Sequence, residues 1–295
     1  MEEIKKIKIK DKEYPQLLKK IEHPPGLLYV KGTIPKGPCF SIVGTRRCSS
    51  YGKQIAFKIA KDLAETGLII VSGMAKGIDT FVHKGCLEGN GKTIAVLGTG
   101  LDKNSIYPKE NTRLANEIIK KGGCLISEHP SEVPGFKSNF PQRNRIISGL
   151  SIGVLIVEAK TKSGALITAK WAKKQNKKIF AVPGSIFSSN SKGPHSLIKN
   201  GAILVEKTED ILKKLEFSKK LELSFSKRNS NQKQTMPKTL KESIILKILR
   251  QGPLHIEKII EQTDLKPQEI LSILAIMEID GKIKNLGNNI YAITN

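Results

Sequence analysis

Hydrophobic positions along the chain fall into short runs that alternate with longer amphipathic stretches. From residue 39 onward the runs are apolar at almost every position, so they predict strands covered on both faces, as in a parallel sheet. The stretches between them, such as 51–65 and 113–121, have a helical period and predict crossover helices. The seven predicted strands are 39–43, 68–71, 93–97, 124–127, 152–157, 179–182 and 202–205.

The two ends of the chain have a different texture. Residues 1–36 predict a short helical lead-in and one edge strand, and residues 216–240, rich in Ser, Lys, Asn and Gln, predict a linker. Residues 241–295 predict three helices (242–250, 256–262 and 266–279) and a terminal hairpin, which is the pattern of a winged helix-turn-helix. We therefore expect a short N-terminal extension (1–36), an α/β domain (37–215), a linker (216–240) and a winged-helix domain (241–295).

The charge balance points to an anionic partner. The chain carries 50 Lys and Arg residues against 27 Asp and Glu, a formal net charge of +23. The excess lies in residues 37–215, with 28 basic and 13 acidic residues, whereas residues 241–295 have seven of each. The domain at 37–215 is thus the expected anion binder, and we expect the winged helix to contact a protein partner. A genome poor in G and C also favours lysine, which makes up 43 of the 50 basic residues, so that explanation of the total stays open.

Several classes of protein do not fit the chain. Its apolar runs are far shorter than the ~20 residues that a membrane helix needs, and residues 1–10 alternate Ile with Lys instead of forming a secretory signal. We expect a cytoplasmic protein with no membrane partner. The four cysteines have neither zinc-ligand spacing nor the density of a disulfide framework, so we interpret them as free thiols.

Glycine-containing turns follow many of the predicted strands. Gly44, Gly73, Gly98 and Gly184 stand at strand ends, where an open parallel sheet binds its ligands. Glycine lets the backbone approach a ligand closely, and free amides at the following helix start favour an anion. We interpret this edge of the sheet as a shelf that binds phosphate.

Arginine is scarce and clustered. Four of the seven arginines are Arg46 and Arg47, after the first parallel strand, and Arg143 and Arg145, in the predicted loop 136–145 that also contains two Phe residues. A guanidinium grips phosphate bidentately and stacks on bases, which lysine cannot do. Aromatic faces beside a basic groove hold single-stranded nucleic acids. The pattern therefore predicts a single-stranded nucleic-acid site.

Catalytic patterns are weak. The sequence has no Walker loop and no GxSxG elbow, the five histidines lack metal-ligand spacing, and Lys103 stands where a dinucleotide fingerprint needs its third glycine. Glu128 and Glu158 follow strands as an acid and a base would, but we expect them to fix loop amides. We predict no catalytic residue, no cofactor and no metal.

Ten short motifs follow one another along residues 24–215. They are VGTR at 43–46, SGMAKGID at 72–79, AVLGTG at 95–100, SE at 127–128, FPQRNRII at 140–147, GLS at 149–151, EA at 158–159, SGALITA at 163–169, AVPG at 181–184, and LI with GA at 197–202. Together and in this order they resemble the DNA-processing protein A family (DprA/Smf).

The resemblance implies a fold and a function. It implies an α/β, extended Rossmann-like, doubly wound parallel sheet with a small C-terminal winged-helix domain. It also implies a non-enzymatic mediator that binds and protects incoming single-stranded DNA, forms a homodimer, and helps to load the RecA recombinase in natural transformation. The resemblance further implies a binding pocket that contains Gly44, Arg46, Lys137 and Phe140. The other family motif residues carried over as nucleic-acid-binding are Ser72, Gly73, Arg143, Asn144, Arg145, Ser163, Gly164 and Thr168.

Two other functions remain open at this point. An enzyme of the related nucleotide-processing group would use the same shelf, although its PGGxGTxxE motif is represented only by Pro183-Gly184-Ser185. A winged-helix transcription regulator is the second alternative. Binding to single-stranded as against duplex oligonucleotides distinguishes the three.

Overall fold

The computed structural model describes residues 3–215, 240–249, 252–263, 265 and 267–293. The chain divides into two compact units, Met1–Leu221 and Glu222–Asn295. The predicted linker at 216–240 lies outside the described residues except for Leu240. The domain limits drawn from the sequence stay predictions.

Nine strands form one sheet within residues 3–215. They are β1 (Ile4–Lys8), β2 (Leu27–Gly32), β3 (Cys39–Val43), β4 (Ile69–Ser72), β5 (Thr93–Leu97), β6 (Cys124–Ser127), β7 (Gly153–Ile156), β8 (Lys178–Ala181) and β9 (Ile203–Leu204). Their order across the sheet is β1-β2-β6-β5-β4-β3-β7-β8-β9, and neighbours from β6 to β9 are parallel. The seven predicted strands are confirmed, with ends that shift by at most one residue.

The prediction for the N-terminal region was wrong in part. Residues 3–36 contain two strands instead of one, with the short helix α1 (Gln16–Lys19) between them, and β2 lies inside the sheet between β1 and β6. Both contacts of β2 are antiparallel. The outer strand β1 escaped notice because exposed lysines separate its two half-buried isoleucines, as suits a strand at a sheet edge.

Helices cover both faces of the sheet. They are α2 (Ser50–Glu65), α3 (Ile78–Glu88), α4 (Thr112–Lys120), α5 (Asn139–Gly149), α6 (Gly164–Lys174), α7 (Lys192–Lys199) and α8 (Thr208–Lys214). The side chains of α1, α5 and α6 pack on one face, and those of α2, α3 and α8 pack on the other. All five residues of β3 are buried, since alternate side chains enter the two cores.

The chain reverses direction across the sheet at its centre. It runs from β3 through β4 and β5 to β6 on one side, and then returns to β7, β8 and β9 on the other. The reversal lies between β3 and β7. In open parallel sheets, the crevice beyond the carboxyl ends of the strands at such a reversal is the usual ligand site.

The smaller unit has its own core. Its elements are α9 (Leu240–Leu249), β10 (Leu254–His255), α10 (Ile256–Glu261), α11 (Pro267–Ile279), β11 (Ile283–Asn285) and β12 (Ile290–Ile293). The strands form a sheet in the order β10-β12-β11, and Gly287, Asn288 and Asn289 in the hairpin turn all have positive φ. These elements confirm the predicted winged helix.

Candidate nucleic-acid interface

A cavity of about 750 Å³ opens at the carboxyl edge of the sheet, at the reversal between β3 and β7. We call it the switch-point cavity. Five cationic residues line it, and Asp79 is the acidic residue among its described lining. Its lining consists of Val43, Gly44, Thr45, Arg46, Arg47, Ala75, Asp79, Tyr107, Gly135, Lys137, Phe140, Pro141, Arg143, Asn144, Ile147, Lys160, Ser163, Gly164, Ala165, Ile167 and Thr168.

The turn after β3 presents two arginines to the cavity. Gly44 packs against the start of α3, where a Cβ on it would lie 2.5 Å from Ile78 Cγ1, so the turn requires glycine. The amide of Thr45 donates to the Glu158 carbonyl over 2.7 Å, and the amide of Ile78 donates to the Thr45 carbonyl over 3.2 Å. The backbone is therefore fixed while the side chains of Arg46 and Arg47 remain exposed.

The Glu158 carboxylate fixes the start of α2. It is buried, and it accepts hydrogen bonds from the Ser49 amide (2.9 Å) and from the Ser49 hydroxyl (2.6 Å). The prediction that this carboxylate fixes a loop amide is confirmed. Glu128, the other strand-end carboxylate, instead forms an ion pair with Arg145 over 2.5 Å. For Glu128 the expectation was therefore wrong.

An aromatic ring with two arginines forms one wall of the cavity. The Arg46 guanidinium carbon lies 5.2 Å from the centre of the Phe140 ring, and that of Arg143 lies 6.0 Å from it. The Tyr107 ring lies 5.8 Å from the Phe140 ring, centre to centre. Gly98 makes room for Phe140, because a Cβ there would lie 3.0 Å from the ring. Arg46 and the segment at 137–145 thus share one site.

Arg143 is buried beneath that ring. Its Nη1 donates to the carbonyls of Gly73, over 2.7 Å, and of Val96, which joins the ends of β4 and β5. Burial lowers the pKa of Arg143 to about 10, against the attraction of Asp79. Asp79 accepts the amides of Gly73 and Ala75, each over 3.2 Å. Burial raises the pKa of Asp79, against the attraction of Arg143. The amides of Gly73 and Ala75 already have a hydrogen-bond acceptor, so they are not free to bind a phosphate as predicted for this turn.

The start of α6 forms the opposite wall. The Ser163 hydroxyl caps the helix by accepting the Ala165 amide over 3.3 Å. Asn144 Nδ2 donates to the Gly164 carbonyl over 3.1 Å, which ties α6 to α5. Thr168 is buried one turn further along and also lines the cavity. A helix start of this kind favours an anion beside it.

The structure brings nine of the twelve predicted site residues together around the switch-point cavity. Gly73 lines a small pocket that shares Arg46, Tyr107, Phe140 and Arg143 with it. The nine are Gly44, Arg46, Lys137, Phe140, Arg143, Asn144, Ser163, Gly164 and Thr168. Their role in nucleic-acid binding stays a prediction.

Ser72 and Arg145 do not line either pocket. The Ser72 hydroxyl is fully buried and donates to the Ile42 carbonyl over 2.7 Å. Arg145 donates to the His23 carbonyl over 3.0 Å besides its ion pair with Glu128. The segment predicted as a loop at 136–145 is helical from Asn139 onward, so successive side chains point in different directions. Its inward-facing polar residues had concealed the helical period.

Lys160 and Tyr107 line the cavity but were not among the predicted site residues. Lys160 lies four residues after the end of β7 and is exposed, so the rule that inspects strand ends leads close to it. Tyr107 stands in a long connection after β5, where the sequence alone gives no sign that its ring meets Phe140.

The described residues contain no metal-ligand cluster, no disulfide between the four cysteines and no membrane-spanning helix. In the described part of the chain, no group of three or more His, Cys, Asp or Glu residues is placed to hold a metal ion. Cys39, Cys48, Cys86 and Cys124 form no disulfide, as predicted. Among the same described residues, no helix is both long enough and apolar enough to span a bilayer.

Family models match both units. The model for DNA recombination-mediator protein A matches residues 5–216, and the model for the DprA winged helix domain matches residues 230–289. The chain belongs to the DNA recombination-mediator protein A family. The resemblance stated from the sequence motifs is thereby confirmed.

Curated relatives agree with this assignment. The chain is 48% identical to protein Smf of Escherichia coli over 205 residues, which is 69% of this chain and 54% of that protein. It is 45% identical to DNA processing protein DprA of Bacillus subtilis over 72% of this chain and 71% of that one. The chain thus spans about half the length of the Escherichia coli relative.

Two solved structures share the fold. DNA processing protein A from Streptococcus pneumoniae superimposes with a TM-score of 0.66 at 42% identity, over 72% of this chain and 74% of that one. The Helicobacter pylori protein, whose structure describes a single-stranded DNA binding mode, superimposes with a TM-score of 0.64 at 29% identity. That match covers 74% of this chain and 99% of the Helicobacter pylori chain.

Proposed function

We propose that this protein binds single-stranded DNA in the switch-point cavity and acts as a recombination mediator. The observation that carries the proposal is the Phe140 ring beside the Arg46 guanidinium, at 5.2 Å, in a cavity lined by five cations. A ring of this kind offers a face on which an unpaired base stacks, and the cations neutralise its phosphates. The family assignment and the single-stranded DNA binding described for the Helicobacter pylori relative support it.

The wall formed by Phe140 favours single strands over duplex. In a duplex the faces of the bases are stacked on each other, and only their edges are accessible in the grooves. An aromatic platform therefore gains little from duplex DNA. Exposed Arg46, Arg47, Lys137 and Lys160 supply the part of the affinity that does not depend on sequence.

The test compares single-stranded and duplex oligonucleotides by fluorescence anisotropy. We expect the wild-type protein to prefer the single strand, and Arg46→Ala to weaken that binding about tenfold, which corresponds to ~1.4 kcal/mol. Arg113→Ala is the matched control, because Arg113 is an exposed arginine on α4 that does not line the cavity. Unchanged affinity in Arg46→Ala would remove the proposed site, and a preference for one duplex sequence would favour a transcription regulator.

The partners implied by the family resemblance extend the proposal. We expect the protein to act as a homodimer and to help a RecA recombinase assemble on the bound strand during natural transformation. The description of the family as recombination mediators supports this step. Sedimentation gives the oligomeric state, and a RecA filament assay on strands already covered by a single-strand binding protein measures the loading.

The winged helix is proposed to contact a protein partner. Residues 241–295 carry equal numbers of basic and acidic residues, so they gain little from the phosphate backbone. We expect a chain that ends at residue 215 to keep its affinity for single strands within about threefold, or ~0.7 kcal/mol. Loss of binding in the shortened chain would assign the winged helix a part in DNA affinity.

A further inference from the structure

The loop after β8 exposes two large apolar side chains. We call residues 184–191 the rim loop. Within it, 93% of the Phe187 surface and 76% of the Ile186 surface is accessible, more than for any other large apolar residue described in the structure. At this accessibility, both faces of the Phe187 ring are exposed to solvent.

The backbone of the rim loop is held against the switch-point cavity. Asn190 Nδ2 donates to the carbonyl of Arg47 over 3.1 Å, and the Asn190 carbonyl accepts the Ala159 amide over 2.8 Å. Arg47 and Lys160, the residue after Ala159, both line the cavity. Within the loop, the Ser188 amide donates to the Ser185 carbonyl over 3.0 Å. Phe187 is therefore presented by a loop that is anchored at the margin of the cavity.

The chain around this loop is strongly cationic. Residues 159–205 contain nine lysines and no Asp or Glu. Lys192 directly follows the rim loop and is exposed, and Lys160 and Arg47 stand on its cavity side. The Glu158 carboxylate, which Asn190 contacts over 3.4 Å, is buried, whereas the cations at the loop are exposed. A free ring beside exposed cations matches the two parts of a nucleotide, since the ring accepts the base and the cations attract the phosphates.

We propose that Phe187 is a second stacking platform, which binds a base of the same strand after that strand leaves the switch-point cavity. This inference rests on the proposed binding of single-stranded DNA. It makes the binding site longer than the cavity, with one aromatic contact at Phe140 and another at Phe187. Charge complementarity and continuity with the cavity favour a nucleobase as the occupant over a protein surface.

The proposal predicts an effect that depends on strand length. A short oligo-dT of about 4 nucleotides fills the cavity alone, whereas one of about 16 nucleotides also reaches the rim loop, within the range of site sizes known for single-strand binders. We expect Phe187→Ala to weaken binding of the long strand by about fivefold or more, and to leave the short strand unchanged. Phe187→Trp should keep the affinity, and Phe187→Leu should not, because leucine is apolar but has no ring.

Fluorescence gives an independent reading. Trp171 is the single tryptophan of the chain, so Phe187→Trp in a Trp171→Phe background reports on the rim loop alone. We expect the long strand to quench this tryptophan and the short strand to leave it unchanged. Since residue 187 is almost fully exposed, these variants should fold as the wild type does. Leu286→Ala, which removes an exposed apolar side chain from the winged helix, is the matched control.

The outcomes separate this proposal from the one it rests on. If the wild-type protein binds neither strand, the proposed function fails. If it binds both strands and Phe187→Ala changes neither affinity, only the second platform is overturned. Equal losses for both strands would place Phe187 within the cavity contacts and overturn the extension. A change in sedimentation mass with unchanged affinity for the long strand would assign the rim loop to a second copy of the chain instead.

Discussion

Replacing Arg143 by methionine tests whether this buried arginine supports the cavity or contacts DNA. Its Nη1 joins the carbonyls of Gly73 and Val96, and its charge lies beside the carboxylate of Asp79. Methionine has a similar length but no donor and no charge, so Arg143→Met leaves two carbonyls and a buried carboxylate without their cationic partner. Leaving a buried hydrogen-bonding group without its partner costs ~1–3 kcal/mol, so we expect Arg143→Met to lower the free energy of unfolding by at least that amount.

The magnitude can be checked with a double-mutant cycle. Asp79→Asn removes the negative charge but keeps an oxygen that accepts the amides of Gly73 and Ala75. We expect the combined Arg143→Met and Asp79→Asn variant to lose less stability than the two single losses added together, by ~1–3 kcal/mol. Urea denaturation followed by circular dichroism measures the free energies of unfolding.

An exposed arginine provides the control for the same urea denaturation. Arg113→Met removes an exposed arginine from α4 and should stay within ~0.5 kcal/mol of wild type. If Arg143→Met is equally stable and yet binds single strands more weakly, the bracing role is refuted. Arg143 would then be a direct contact, as the family motif suggested.

Three further predictions concern the cavity residues Arg46 and Phe140, the buried His83, and Gly52 on α2. Arg46→Ala should reduce the slope of log affinity against log salt by ~0.7, whereas Phe140→Ala should lower affinity by ~1–3 kcal/mol without changing the slope, as measured by salt titration; equal slopes would contradict the assigned roles. Burial lowers the pKa of His83 from 6.5 to about 3, so the unfolded chain binds a proton first and stability should fall by up to about 5 kcal/mol as pH drops across that window. His83→Gln should flatten this part of the stability profile in urea titrations at several pH values, and an unchanged profile would exclude the histidine as its source. Gly52→Ala places a methyl group 2.2 Å from a Glu158 carboxylate oxygen and should cost about 2 kcal/mol in thermal unfolding; an unchanged melting temperature would show that α2 tolerates the shift.

The sheet was predictable from the sequence because strands buried on both faces are apolar at almost every position. A strand such as β3 is apolar at almost every position, so its limits can be found without knowing its neighbours. The edge strand β1 has a weaker hydrophobic pattern, since only its Ile4 and Ile7 are partly buried. The order of the strands needed the structure.

The site was predictable as far as strand ends determine position. That rule pointed to Arg46, whereas Phe140 was predicted from the cluster of arginine and aromatic residues at 136–145. The structure places both at one cavity, but neither pattern gives the direction of a side chain. Ser72 ends β4 with its hydroxyl turned into the sheet, and Arg145 follows Asn144 on a helix, one position away from the face that lines the cavity. The direction of a side chain depends on whether its segment is a helix or a strand. In α5 the buried positions include polar residues, so the sequence did not show the helical period.

The antiparallel pairing of β2 with β6 has a consequence for synthesis on the ribosome. Gly32 lies opposite Cys124, so the partner of β2 is made about 90 residues later, which at 5–20 residues per second is a delay on the order of 5 to 20 seconds. During that interval β1 can pair with one edge of β2, but the edge that later pairs with β6 has no strand beside it. Until β6 emerges, the nascent chain therefore presents an unpaired strand edge that is open to pairing with other chains.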